Sequence, residues 1–356
     1  MLNSCAQEEW SFFSTDKRNL ASHPARVTEG LRVARGLRAE LRNDRHRFTH
    51  ICCGSDSTGW GLREGLLHAR LSRNARLPTL LHLHASALPE LLARKGTESV
   101  LLKSELRRID ALAVPTRSSA DLLESIGVAA QRITVIPNFV PVPPWSPRAT
   151  SSERPLRLLM IGSVEERKGF HVLLEALEAL PAQTLPLQID AYGPTKASSP
   201  LFDQWRERGE PHGLKFWGEV SPEAVREQLR SSDGLILPSM AECQPFALLE
   251  AMAASRPVMA TRVGGIADLL RDGAGDCFAP GNPRELSRAL VRWVEDPLHR
   301  ENLARAGWER VRDEHSLTQG VRATQRAWDT TTDGRAGALL DPFLRDSEAG
   351  LVTSQA

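Results

Sequence analysis

The stretch Pro238-Ser-Met-Ala-Glu-Cys-Gln-Pro-Phe-Ala-Leu-Leu-Glu-Ala-Met-Ala-Ala254 decides how this chain is read. It begins at the end of a short apolar run, Gly234–Pro238, that predicts a strand. It closes in an alanine- and leucine-rich segment, Ala247–Ala254, that predicts a helix. Between the two lies a loop carrying Glu242. A loop entering a helix presents free backbone N–H groups, here around Gln244, Phe246 and Ala247 with Pro245 at the entrance, together with the positive end of the helix dipole. That is a natural seat for a diphosphate. Glu250 follows Glu242 by eight positions, one to two turns into the helix. There a carboxylate can accept hydrogen bonds from a pair of ribose hydroxyls, while Glu242, at the mouth, can face a sugar ring. Taken alone, two glutamates at this spacing are more often a solvated helix face, so their surroundings have to carry the reading.

Those surroundings alternate short apolar runs with amphipathic helical segments, the pattern of parallel α/β sheets. Strands are predicted near Thr49–Cys53, Thr79–His84, Ala111–Pro115 and Ile133–Pro137. Further strands are predicted at Leu156–Gly162, Leu187–Tyr192, Leu214–Phe216, Gly234–Pro238 and Val258–Thr261. Helices are predicted at Phe170–Leu180, Pro222–Ser231, Ala247–Ala254 and Pro283–Glu295, the last starting with Pro after Asn282. Between the two groups of strands runs Pro141-Val-Pro-Pro-Trp-Ser-Pro-Arg-Ala-Thr-Ser-Ser-Glu-Arg-Pro155. Its five prolines exclude helix and central strand, so it reads as a linker. The expected fold is α/β, with two doubly wound Rossmann-like domains facing each other across a cleft. Residues 1–140 form the first, 141–155 the linker, 156–330 the second and 331–356 a tail. Ligand is expected where the carboxyl ends of both sheets meet.

Composition narrows the class. The 41% apolar and 25% charged fractions of the 356 residues are those of a globular protein, with no run of about 18 apolar residues to span a membrane. Five cysteines without a C-x-x-C pair predict reduced thiols rather than a disulfide framework or a zinc site. The first ten residues lack the basic start and apolar run of a secretory signal, so a cytoplasmic location is expected. The net charge of +1 hides an asymmetry: residues 1–140 carry 20 Lys and Arg against 14 Asp and Glu, the remainder 25 against 30. Val27, Leu31, Ala34, Leu37 and Leu41 share one face of a predicted helix, with Arg32, Arg35 and Arg42 on another side. This basic helix, 27–42, predicts either a packed helix with a solvated side or peripheral contact with an anionic membrane.

The segment containing Glu242 and Glu250 resembles the E-x7-E motif of the retaining GT-B glycosyltransferases of family 4, the glycosyl transferases group 1. Arg256-Pro-Val-Met-Ala-Thr-Arg-Val-Gly-Gly265 resembles the strand and Gly-Gly loop that follow that motif. Leu158-Leu-Met-Ile-Gly-Ser-Val-Glu-Glu-Arg-Lys-Gly169 resembles the strand, phosphate loop and Lys-Gly that precede it. Phe216-Trp-Gly-Glu-Val220 resembles the segment whose backbone holds the nucleobase, and Thr134-Val-Ile-Pro-Asn138 the end of the N-terminal domain. The likeness runs from about Thr79 to Trp328, five motifs in one order. It departs in three places. Ser163 stands where the family often has Arg, and Ser255 where it usually has Gly. The first glycine is Gly30, whereas the family opens on a strand and a Gly-rich turn, so either a late start or a trimmed acceptor domain is expected.

The resemblance implies a retaining, metal-independent transfer of a sugar from a nucleotide-diphosphate donor to a hydroxyl acceptor: a glycan, a lipid-linked molecule or a small molecule. It implies catalytic roles for Glu242, His84 and Lys168. It places the donor against Gly162, Ser163, Arg167, Lys168, Gly193, Glu219, Val220, Gln244, Pro245, Phe246, Ala247, Glu250, Gly264 and Gly265. His82 and His84 lie on one face of the strand Leu80-Leu-His-Leu-His-Ala85, and His84 is the better match to the family's donor-sugar histidine. No metal, no cofactor and no nucleic acid are expected. The alternatives are an inactive nucleotide-sugar-binding partner subunit and a sugar-nucleotide epimerase on the same scaffold.

Overall fold

The structure is a computed structural model and describes residues 48–55, 59–147, 155–180, 186–195 and 200–332, together with Arg35. The chain divides into two compact units, residues 1–136 with 321–356, and residues 137–320.

In the first unit four parallel strands stand in the order β1 (Thr49–Ser55), β2 (Thr79–Ala85), β3 (Ala111–Val114) and β4 (Ile133–Val135). Ile51, Cys53, Leu81, Leu83 and Ala85 point to one side and pack on Leu62, Leu66 and Ala69 of helix α1 (Trp60–Asn74). Period two along each strand puts His50, Cys52, His82 and His84 on the other side. Spatial order follows chain order, so this sheet shows no reversal among the described residues.

The second unit has six parallel strands in the order β10-β9-β8-β5-β6-β7. They are β5 (Leu156–Ile161), β6 (Leu187–Tyr192), β7 (Leu214–Gly218), β8 (Gly234–Leu237), β9 (Val258–Thr261) and β10 (Asp276–Phe278). Alternation sorts their side chains onto two cores. Leu158, Met160, Ile236 and Met259 join Phe170, Leu290 and Trp293 beneath helices over Phe170–Glu178 and Pro283–Glu295. Leu159, Leu235, Leu237, Val258 and Ala260 join Leu248, Leu249, Met252 and Val311 beneath helices over Phe246–Ala253 and Pro297–Glu314. Each fully buried leucine contributes about 1.5–3 kcal/mol. From β5 the chain winds outward to β7, then returns to lay β8 beside β5, so the winding reverses between these two strands. In such sheets the loops leaving the two strands at the reversal splay apart and leave a crevice at their carboxyl ends.

The units divide at different points from the linker expectation. Residues 141–147 belong to the second unit: Trp145 packs edge-on against Trp308, the Trp308 indole donates to the Pro143 carbonyl, and Val140 and Val142 enter the core. Pro141, Pro143, Pro144 and Pro147 themselves stay exposed, and Val142 and Trp145 between them make the contacts. The helix over Leu317–Thr332 begins in the second unit and ends in the first, where the Trp328 indole donates to His50 Nδ1 and its ring lies 5.4 Å from that of Phe48. The basic helix 27–42, apart from Arg35, lies outside the described residues, as do linker residues 148–154 and the tail from 333.

Candidate functional site

The reversal between β5 and β8 gathers most of the predicted residues. Gly162, directly after β5, has φ 145° and lies beneath the Lys168 side chain, whose Cε would stand 3.0 Å from a Cβ there. Gly169 (φ 77°) ends the short turn Glu166–Lys168, and a Cβ on it would overlap the Pro238 carbonyl oxygen. The loop after β5 is thereby pressed against the end of β8. The Met240 N–H donates to the Arg167 carbonyl (2.7 Å), and Arg167 Nη1 donates to the Ala241 carbonyl (2.9 Å).

This closeness delivers two cations to Glu242. Lys168 Nζ donates to Glu242 Oε1 at 2.6 Å, Ser239 Oγ donates to the same oxygen at 3.0 Å, and Arg167 Nη1 lies 3.5 Å away. The Glu242 carboxylate is 9% exposed and Lys168 13%, so the pair is largely shielded from water. Ser239 is buried, and its carbonyl accepts from Thr261 Oγ1, which ties the loop to β9. Ser163 donates to Glu165, which also accepts from Arg167. Ser163 thus steadies Arg167 through an acidic intermediary. Gly264 (φ 52°) approaches its own protein closely: a Cβ there would overlap the Glu242 carbonyl oxygen, and the Gly265 N–H donates to the Cys243 carbonyl (2.7 Å).

The helix over Phe246–Ala253 begins after Pro245 with no side chain capping its first N–H groups. Phe246 is exposed and Ala247 half-buried. Glu250 is half-buried on this helix, and burial pushes its carboxyl above the usual range, partly opposed by Arg226. Gln244 is buried and turned toward Asn138, whose N–H and Nδ2 donate to the Gln244 side-chain and main-chain oxygens, both at 2.6 Å. Ser255 (φ 59°) holds the left-handed turn that would suit glycine, and its Oγ accepts from the Ser146 N–H (3.0 Å).

Toward β6 and β7, Gly193 (φ 151°) sits so close to the Gly162 carbonyl that a Cβ would overlap it, and its N–H donates to the Gly218 carbonyl. Glu219 is exposed and Val220 half-buried beside the second core. The motif reading missed Trp217, which is 55% exposed, stacks at 11° on Tyr192, and donates its indole N–H to buried Asp190 (2.9 Å). Asp190 also accepts from Arg157 (2.5 Å) and Gln188. These hydrogen bonds outweigh burial and hold the Asp190 carboxyl below the usual range. An aspartate inside a predicted buried strand was the available signal. Ser239 was missed because nothing local distinguishes it from a turn serine.

His84 belongs to the first unit, and the residues gathered at the reversal belong to the second. Its ring lies 4.1 Å from that of His82, which stacks on His50 at 5.6 Å. Burial, followed by His84, lowers the His50 pKa to about 4 and the His82 pKa to about 2, so both rings are neutral near pH 7. His50, Cys52 and His82 bring three atoms of metal-ligand type within 4.8 Å of one another. Because the Trp328 indole can only donate, His50 Nδ1 is the acceptor, and the proton of the neutral ring sits on Nε2, which lies 3.6 Å from Cys52 Sγ. That tautomer offers an ion a proton rather than a lone pair.

Residues 143–310 match the family described as "Glycosyl transferases group 1", and residues 16–138 match "Glycosyl transferase 4-like domain". The chain is 26% identical to a glycogen synthase of Mycobacterium tuberculosis over 86% of its own length and 83% of that protein's. It is 31% identical to a phosphatidyl-myo-inositol mannosyltransferase of Propionibacterium freudenreichii over 60% and 54% of the two chains. Its fold is similar to that of Anabaena HepE, solved in complex with UDP-glucose: TM-score 0.68 at 17% identity, covering 86% and 82%. The motifs, the six-stranded reversal and these likenesses agree: the chain belongs to the GT-B glycosyltransferases of the group 1, family 4 type, and is an enzyme of that class.

Proposed function

We propose that the enzyme moves a sugar from a nucleotide-diphosphate donor to a hydroxyl acceptor with retention at the anomeric carbon and without a metal. The observation that carries this reading is the meeting of Lys168, Arg167 and Glu242 at the β5/β8 reversal, directly ahead of an uncapped helix start. A diphosphate there takes Lys168 and the helix N–H groups as its donors. Glu250 grips the ribose, and Glu242 and His84 hold the sugar. The bond from the anomeric carbon to the diphosphate oxygen breaks, with its electron pair leaving on the diphosphate. The acceptor oxygen bonds to the same face, and its proton passes to the departing oxygen. Lys168 and the helix start stabilise the charge that develops on the leaving group.

The acceptor is a glycan, lipid-linked or small-molecule hydroxyl, and the working location is the cytoplasm, with peripheral membrane contact through the basic segment 27–42. Among the described residues no helix is long and apolar enough to cross a membrane. A thermal-shift panel of UDP-, GDP-, ADP- and dTDP-sugars tests the donor reading. A ligand at about 100 times its dissociation constant raises stability by roughly 2.7 kcal/mol. No shift with any of them refutes the reading. Proton NMR of the product then reports the anomeric configuration, and activity that survives exhaustive EDTA treatment supports the metal-free step.

A further inference from the structure

Asn138 is 6% exposed, and three of its polar groups are engaged. Its N–H donates to Gln244 Oε1, its Nδ2 donates to the Gln244 carbonyl, and its own carbonyl accepts from His315 Nδ1 at 2.9 Å. Each direction is unambiguous, since a carbonyl only accepts and a main-chain N–H only donates. Burial lowers the His315 pKa, so the ring is neutral and carries its proton on Nδ1. The His315 carbonyl in turn accepts from the Val140 N–H at 2.9 Å, and the ring of Phe139 lies over Gly320 so closely that a Cβ there would overlap it. Residues 138–140 therefore tie three segments together: the loop between Glu242 and Phe246, the end of the helix over Pro297–Glu314, and the start of the next helix. Asn138 lies one residue beyond the point where the chain enters the second unit, and His315 shortly before the point where it leaves. Gln244 spends both its side-chain oxygen and its carbonyl on Asn138. That fixes the loop at Gln244, while Gly264 and Gly265 brace it at Glu242 and Cys243.

We propose that Asn138, held in turn by His315, is a positioning residue that fixes the Glu242–Phe246 loop, and with it the first N–H groups of the helix, in the donor-binding arrangement. The role rests on the donor reading given above, and neither side chain touches the donor. The test is hydrogen–deuterium exchange of residues 243–249 on the unliganded full chain, alongside titration with UDP, GDP and ADP and steady-state kinetics. In Asn138→Ala, exchange of this stretch should quicken about tenfold and nucleotide affinity fall about tenfold, the scale of one buried side-chain hydrogen bond lost with its acceptor, the Gln244 carbonyl, left behind. Donor KM should rise while kcat stays within about threefold, the mark of lost binding rather than lost chemistry. His315→Asn offers an N–H close to the place of the imidazole Nδ1–H and should keep loop exchange near that of the parent, whereas His315→Ala should not. Unchanged exchange and affinity in folded Asn138→Ala overturn the proposal. Should that variant fail to fold, equal exchange in His315→Asn and His315→Ala overturns it. A parent protein that binds none of the three nucleotides refutes the donor reading, while the exchange comparison still decides the clamp.

Discussion

Lys168 Nζ and Glu242 Oε1 stand 2.6 Å apart although 74 residues separate them in the chain. The glycine before the lysine loop and the glycine after it make the approach possible. Lys168→Ala should lower kcat/KM about a hundredfold, the usual cost of removing one donor to a developing negative charge. Lys168→Arg should restore little of it, since a planar guanidinium cannot replace a compact ammonium tucked over Gly162. Steady-state kinetics with a saturating acceptor measures both.

Glu250 carries an opposite signature in stability and binding. Burial raises its carboxyl pKa in the folded protein, so the folded state holds its proton more tightly than the unfolded chain does. Its contribution is fully present below the unfolded value, and it is lost as pH rises through the folded one. Glu250→Gln should therefore match or exceed the parent's melting temperature at pH 7.5 and lose that advantage at pH 4. The same variant should bind donor nucleotide more weakly. Melting curves at the two pH values, with and without nucleotide, separate the effects.

The glycines divide into two classes. Gly169→Ala and Gly264→Ala put a Cβ into a backbone carbonyl and should each cost on the order of 3 kcal/mol or more. Gly273 also has positive φ (80°), but a Cβ there meets nothing within 4 Å. Its replacement by alanine should cost only about 1 kcal/mol, the price of the left-handed backbone alone. Urea denaturation resolves the difference.

The histidines of the first unit set an acid limit. His50 and His82 have pKa values depressed from 6.5 to about 4 and about 2, so the unfolded chain binds protons more readily than the folded one. Stability should be full above pH 6.5 and fall progressively below it. His50→Gln should flatten that slope. Protonation of His50 Nδ1 also ejects the Trp328 N–H, so tryptophan fluorescence should shift along the same acid limb.

The second unit was legible because both its periodicity and its motif order are local. Strands at Leu187–Tyr192 and Val258–Thr261 and helices at Pro222–Ser231 and Pro283–Glu295 fall where the pattern places them. Strand β10 escaped: its three residues, Asp-Cys-Phe, carry too little alternation to announce a strand. What local pattern could not reveal was pairing at long range. Gln244 read as a donor ligand, and its side chain has a partner 106 residues upstream, while the helix ending at Thr332 returns to the first unit, where Trp328 meets His50 and Phe48. Nor could it show that the first sheet would lack, among the described residues, the reversal that a doubly wound domain predicts.

The lysine at the β5/β8 reversal has a counter-ion of the protein's own, Glu242. The ammonium that would greet an arriving anion is already satisfied by a carboxylate and shielded from water, so a visitor must outcompete an internal rival before it gains anything. A guest with a single phosphate, which cannot reach both the lysine and the helix mouth, gains little from that exchange. On the donor reading proposed above, one with two adjacent phosphates takes the lysine and the helix mouth together, so the pocket should discriminate against inorganic phosphate and nucleoside monophosphates before any base or sugar is inspected.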